Sequence, residues 1–210
     1  MTTGLSMRAS MRACLLHGLA VLVATGSLAA VAPAAHAETW HVTDRWHDVQ
    51  SMDTSGDGPM STTPRNRSAD ITALQVHHGT RWVTATLRVR DLTPRDRVVV
   101  VSLALPDRVE GYLAAWLVDG EIEAESSLLD GMDFIDCPAT ASTQPRRGVV
   151  RLAVRRDCLG DPEWVRANGS VSAGSERSFD DSRRAFTDVV LGPVRTRTGR
   201  VAYGPRIEVG

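Results

Sequence analysis

The stretch Val76-His77-His78-Gly79-Thr80-Arg81-Trp82 sets two imidazoles side by side in a chain that has only 6 histidines. Paired imidazoles are a familiar start to a transition-metal site. Adjacent residues of an extended strand point to opposite faces, however, so both rings reach one ion only if the backbone turns between them. Asp70 to Val76 and Arg81 to Arg90 both read as strands, which makes His77-His78-Gly79-Thr80 a hairpin tip with Gly79 available for positive φ. His41 and His47 share a parity but lack a cysteine or carboxylate at a zinc-site spacing. The stronger metal expectation is a hard cation. Asp53-Thr54-Ser55-Gly56-Asp57-Gly58 puts two carboxylates, Asp53 and Asp57, into a glycine-containing loop that could ligate Ca²⁺. The same composition also makes an ordinary surface turn, and the twelve-residue helix-loop-helix calcium pattern is missing.

Glu121, Glu123 and Glu125 alternate along one strand face. Two carboxylates about 5–9 Å apart across a groove could serve as the acid and nucleophile of a glycosidase, whereas a solvated strand face needs no partner. Serine, histidine and aspartate are all present, but G-x-S-x-G, H-E-x-x-H and a phosphate loop are not, so no catalytic residue is assigned. Of the 5 tryptophans, Trp82 lies on the wetter side of its strand with Thr84, Thr86 and Arg88, where its indole could carry a sugar ring or a partner side chain. Trp116 shares parity with Tyr112 inside an apolar run and is expected in the core. Asn66-Arg67-Ser68 and Asn168-Gly169-Ser170 match the glycosylation pattern, which is frequent by chance.

The elements that position these groups read almost entirely as strands. In Arg81 to Leu92, Val83, Ala85, Leu87 and Val89 alternate with polar neighbours, as on a strand with one buried face. Residues 98 to 105 and 112 to 118 are apolar on both faces, and Asp119-Gly120 joins the second to Glu121–Ser126 as a hairpin. Residues 148 to 156 set Val150, Leu152 and Val154 inward against Arg151 and Arg155. Runs from Trp164, at 189 to 191 and from Val201 to Val209 follow, while Ser178 to Phe186 begins with a pattern able to cap a short helix. Strands at this spacing predict an all-β antiparallel β-sandwich or jelly roll with at most one short helix. Cys137 and Cys158 lie symmetrically about the turn Gln144-Pro145-Arg146-Arg147-Gly148, so a hairpin folded there would bring them together as a disulfide.

The leader has Arg8 and Arg12, an apolar run from Leu15 to Val31, and Ala35-His36-Ala37, the order of a secretory signal. Residues 1–37 are therefore expected to be removed, leaving a single secreted domain, 38–210, with no membrane span. Removing two arginines and no acids turns 24 basic and 25 acidic residues into 22 and 25, a charge of −3. That balance argues against nucleic acid as a partner.

The leader, the Asp53 loop, the stretch from Asp70 to Leu92 and the segment from Arg151 to Ala167 together resemble a set of small secreted actinobacterial proteins. Cys158-Leu159-Gly160-Asp161-Pro162-Glu163-Trp164-Val165-Arg166 carries the resemblance most clearly. More remotely, residues 53 to 92 are similar to carbohydrate-binding modules of the family 9 type, which implies calcium and glycan binding. The expectation is thus a secreted or wall-associated, non-catalytic binding module for cell-wall or other glycans. The alternatives are a protein-interaction or structural module of the envelope, with a cell-envelope protein as partner, and a glycoside hydrolase-like enzyme using the exposed glutamates.

Overall fold

The computed structural model describes residues 38–44, 48–53, 61–92, 97–118, 120–130, 133–174, 184–192 and 202–210. One sheet contains β1 (Glu38–Thr43), β4 (Ile71–His78), β5 (Trp82–Val89), β10 (Ala139–Gln144) and β11 (Val149–Arg155), in the order β1-β4-β5-β11-β10. The second contains β2 (Gln50–Asp53), β3 (Ser61–Thr62), β6 (Arg97–Ala104), β7 (Glu110–Val118), β8 (Glu121–Asp130), β9 (Asp133–Asp136), β12 (Trp164–Ala173) and β13 (Arg184–Val189). Its order is β3-β2-β13-β12-β6-β7-β8-β9, with the two-residue β14 (Ile207–Glu208) paired to β12. Every pair is antiparallel. The chain is an all-β sandwich.

Period-two patterning builds the core. Val83, Ala85 and Leu87 of β5 are wholly buried with Val150, Leu152 and Val154 of β11, and they meet Val99, Val101, Leu113 and Val171 from the opposing sheet. Burying such a row removes about 1.5–3 kcal/mol of exposure per large side chain. Gly169 of β12 faces the opposing sheet at close range, since a Cβ there would lie 3.0 Å from Leu87 and 3.4 Å from Leu74.

Three expectations shift. The histidines lie within β4 instead of forming the turn, because pairing of β4 with β1 and β5 continues through His78. They do diverge: His77 Nδ1 bonds Thr39 Oγ1 on the outer face (3.1 Å), while buried His78 Nδ1 bonds the Ile207 carbonyl (2.9 Å). Residues 184–186, the end of the candidate helix, are strand β13, whose pairing with β12 and β2 outweighs local propensity; residues 178–183 lie outside the described residues. Trp116 is not in the core. It is 42% exposed, because the inner face of β7 is filled by Leu113 and Ala115.

The expected bridge forms. β10 and β11 pair from Gln144↔Val149 to Ala139↔Val154, and Cys137 and Cys158 face each other just beyond, with Cα atoms 5.8 Å apart. Residues 1–37 lie outside the described residues, as do Asp57 and the rest of 54–60.

Candidate functional site

Trp82 opens β5 on the outer face, directly opposite Arg155 at the end of β11, and is 41% exposed. Immediately after β11 the chain enters a 3₁₀ turn, Asp157–Leu159, and leaves it through Gly160 (φ 76°) and Asp161 (φ 51°). Two left-handed residues in succession reverse the chain sharply, and aspartate is among the few non-glycine types that accept this conformation. Arg156 holds the reversal. Its Nε donates to the Pro162 carbonyl (3.1 Å), its Nη2 to the Asp161 carbonyl (2.9 Å), and its Nη1 lies 3.4 Å from the Asp161 carboxylate. The Arg156 amide also donates to the Arg81 carbonyl at 2.9 Å, tying the turn to the start of β5. The disulfide fixes the turn from the other side through Cys158.

The product is an open cleft of about 410 Å³ lined by Thr80, Arg81, Trp82, Arg155, Asp157 and Asp161. That lies within the roughly 300–1,000 Å³ of common small-ligand sites. Arg155 grips Asp157 with a two-pronged contact, Nε to Oδ1 at 3.0 Å and Nη2 to Oδ2. The hydrogen bond from Arg155 holds the Asp157 carboxyl below its usual range, so the group stays ionised and offers acceptor lone pairs. An indole face, guanidinium donors and carboxylate acceptors around one opening suit a polyhydroxylated ring, which presents C–H faces and hydroxyls together. Trp82 was readable from strand parity. Arg155 was readable as outward-facing, but Asp157 and Asp161 were not, because their placement depends on the left-handed reversal and the bridge.

The glutamate ladder lies elsewhere. Glu121, Glu123 and Glu125 project from the outer face of β8 in the other sheet, beside Trp116 and Tyr112 of β7. Glu125 accepts from Tyr112 Oη (2.7 Å) and Trp116 Nε1 (3.2 Å), and the hydrogen bond pushes the Tyr112 phenol above its usual pKa. The two aromatics and the ladder are therefore one exposed patch on the side opposite Trp82.

A third group was invisible in the sequence. Asp44, Asp48 and Asp188 bring carboxylate oxygens within 4.8 Å of one another, although Asp188 is remote from the other two along the chain. Asp188 is buried, and its two oxygens accept from the amides of Ile71 (2.8 Å) and Val189 (2.9 Å). Burial pushes its carboxyl up to about 6, assisted by the nearby charges of Asp48 and Asp70 and opposed by the two amides. An all-oxygen set of this kind is what hard divalent cations take. Of the calcium loop expected from sequence, Asp53 closes β2 opposite Arg184, and the remainder lies outside the described residues. Asn168 of the second glycosylation pattern is buried within β12, where its Oδ1 accepts from Gly169.

No protein-family model, no curated protein and no solved structure matches the chain.

Proposed function

We propose that the protein is an exported, non-catalytic binding module that takes a glycan in the Trp82 cleft. One observation carries the reading: a half-exposed indole stands beside an ionic fork and two carboxylates, in a cleft whose far wall is held by the disulfide. Such rigidity keeps a shallow site from losing its binding energy to the ordering of side chains. The leader supports export, and a disulfide is stable where export delivers it. The test is retention on insoluble cell-wall and plant polysaccharides. Trp82→Ala should abolish retention while leaving the unfolding midpoint unchanged, and undiminished retention by that variant would overturn the proposal.

A second reading, a module that docks a cell-envelope protein, is favoured by the other sheet. There the outer face presents Trp116, 42% exposed, with Tyr112 beside it, an aromatic surface of the kind a protein partner covers. Trp116→Ala, silent in the polysaccharide assay, would weaken a pull-down of that partner.

A further inference from the structure

The outer face of the five-stranded sheet extends the cleft. Strand register sets Arg88 of β5 and Arg151 and Arg155 of β11 on the same surface as Trp82. His41 of β1 and His77 of β4 share it. Between them stand hydroxyl and amide side chains, Gln75, Thr84, Thr86, Thr140, Ser142 and Gln144. No strand residue on this face is acidic; the carboxylates of Asp157 and Asp161 stand only at the rim. Arg88 and Arg151 are exposed, and neither is in an ion pair among the described residues.

The opposite outer face is the reverse. Glu110, Glu121, Glu123, Glu125 and Asp136 are all exposed on β7, β8 and β9. Arg166 of β12 is a cation on that side, but its guanidinium is held by the carbonyls of Gly204 (2.7 Å) and Tyr203 (3.1 Å). A chain close to neutral has thus sorted its strand charges by face.

We infer that the outer face of β5, β10 and β11 binds a carboxylate-bearing polysaccharide, running from the Trp82 cleft across Arg155 and Arg151 to Arg88. The inference rests on the glycan reading of Trp82 and adds the class of glycan. Arginine forks match carboxylates two bonds at a time, and unpaired ones concentrate an anion without breaking an existing contact. Spacing favours a sugar acid. Arg155, whose own fork is already closed on Asp157, stands four residues from the unpaired Arg151, about 14 Å at the strand rise. Arg151 and Arg88 are diagonal neighbours across two strands, about 7–8 Å at the backbone. The cations are separated by hydroxyls and amides, so charge alternates with hydroxyl recognition, as in a chain of acidic sugars. A phosphodiester chain, charged at every unit, would be met by a denser row.

The experiment measures binding of the purified protein to polygalacturonate and to its methyl ester, in about 50 mM and about 500 mM sodium chloride. The acid form should bind roughly tenfold tighter at low salt, with the difference shrinking at high salt. Arg88→Gln/Arg151→Gln should remove that advantage yet keep methyl-ester binding, and Glu121→Gln/Glu123→Gln on the far face should change neither. Equal, salt-independent binding of both forms would overturn the charge inference and leave the glycan reading standing. Binding of neither form, together with no retention on any neutral glycan, would remove both. Polygalacturonate binding unaffected by the arginine pair would place the site elsewhere and overturn the inference. Equal affinity for single-stranded DNA or a glycerol-phosphate polymer would do the same, by showing a surface that recognises charge alone.

Discussion

Asp188 is a buried side chain whose ionisation is coupled to stability. Its folded-state pKa of about 6 lies above the 3.8 of a free aspartate, so the native state holds the proton more tightly than the unfolded chain does. Stability from this group is therefore fully present below about pH 4 and is lost as pH rises through 6, by about 3 kcal/mol in total. Asp188→Asn should flatten that part of the profile, seen as a smaller change in the urea midpoint between pH 4.5 and 7.5 than in the unsubstituted protein. An unchanged slope would show that Asp188 ionises as freely as in water. Gly148 is a second sensitive residue: it has φ 63°, and a Cβ there would meet the Val89 carbonyl oxygen at 2.0 Å. Gly148→Ala combines a strained backbone with a backbone clash and should cost about 2 kcal/mol or more in urea unfolding. At this scale Trp82 was legible because its strand alternates cleanly. Trp116 was not, because Tyr112–Val118 is apolar on both faces and parity alone does not say which face is inside. The difference lies in Glu125, which satisfies both ring donors from a neighbouring strand.

The hairpin of β10 and β11 is the element on which the cleft depends. Its turn, its alternating second strand and its bridge were legible, but its register was not: a ladder centred midway between the cysteines would set Gln144 opposite Arg151, whereas Gln144 pairs with Val149 and the Asp157–Leu159 turn takes up the two-residue difference. Closing a loop of this size contributes about 3 kcal/mol in the chain-entropy picture. Cys137→Ser/Cys158→Ser should lower the urea-derived stability by about that amount and weaken glycan retention below the unfolding transition, because the Asp157–Leu159 turn loses its anchor. Full retention by a destabilised variant would show that Arg156 alone keeps the turn in place. β13 was less legible. Its start at Arg184 follows a Ser-x-x-Asp cap signal, and what makes it a strand is the pairing offered by β2 and β12, remote in sequence. The histidines illustrate the same limit in small form, since β1 and β5 supply the partners that extend β4 through His78.

At the scale of the molecule, strand parity and hydrophobic alternation were enough to predict two packed antiparallel sheets, because one buried face per strand admits few other arrangements. Which strands share a sheet was not legible. The Asp44, Asp48 and Asp188 group and the sorting of arginines from glutamates both arise from that long-range order. The sorting has an electrical consequence. Cations on one broad face and carboxylates on the other, separated by more than the roughly 10 Å between two packed sheets, give the molecule a dipole directed across its sheets. In an external field such a body experiences a torque that does not depend on its small net charge. Beside any anionic surface that torque turns the Trp82 side towards the surface and the Trp116 side away, so that orientation is selected before contact.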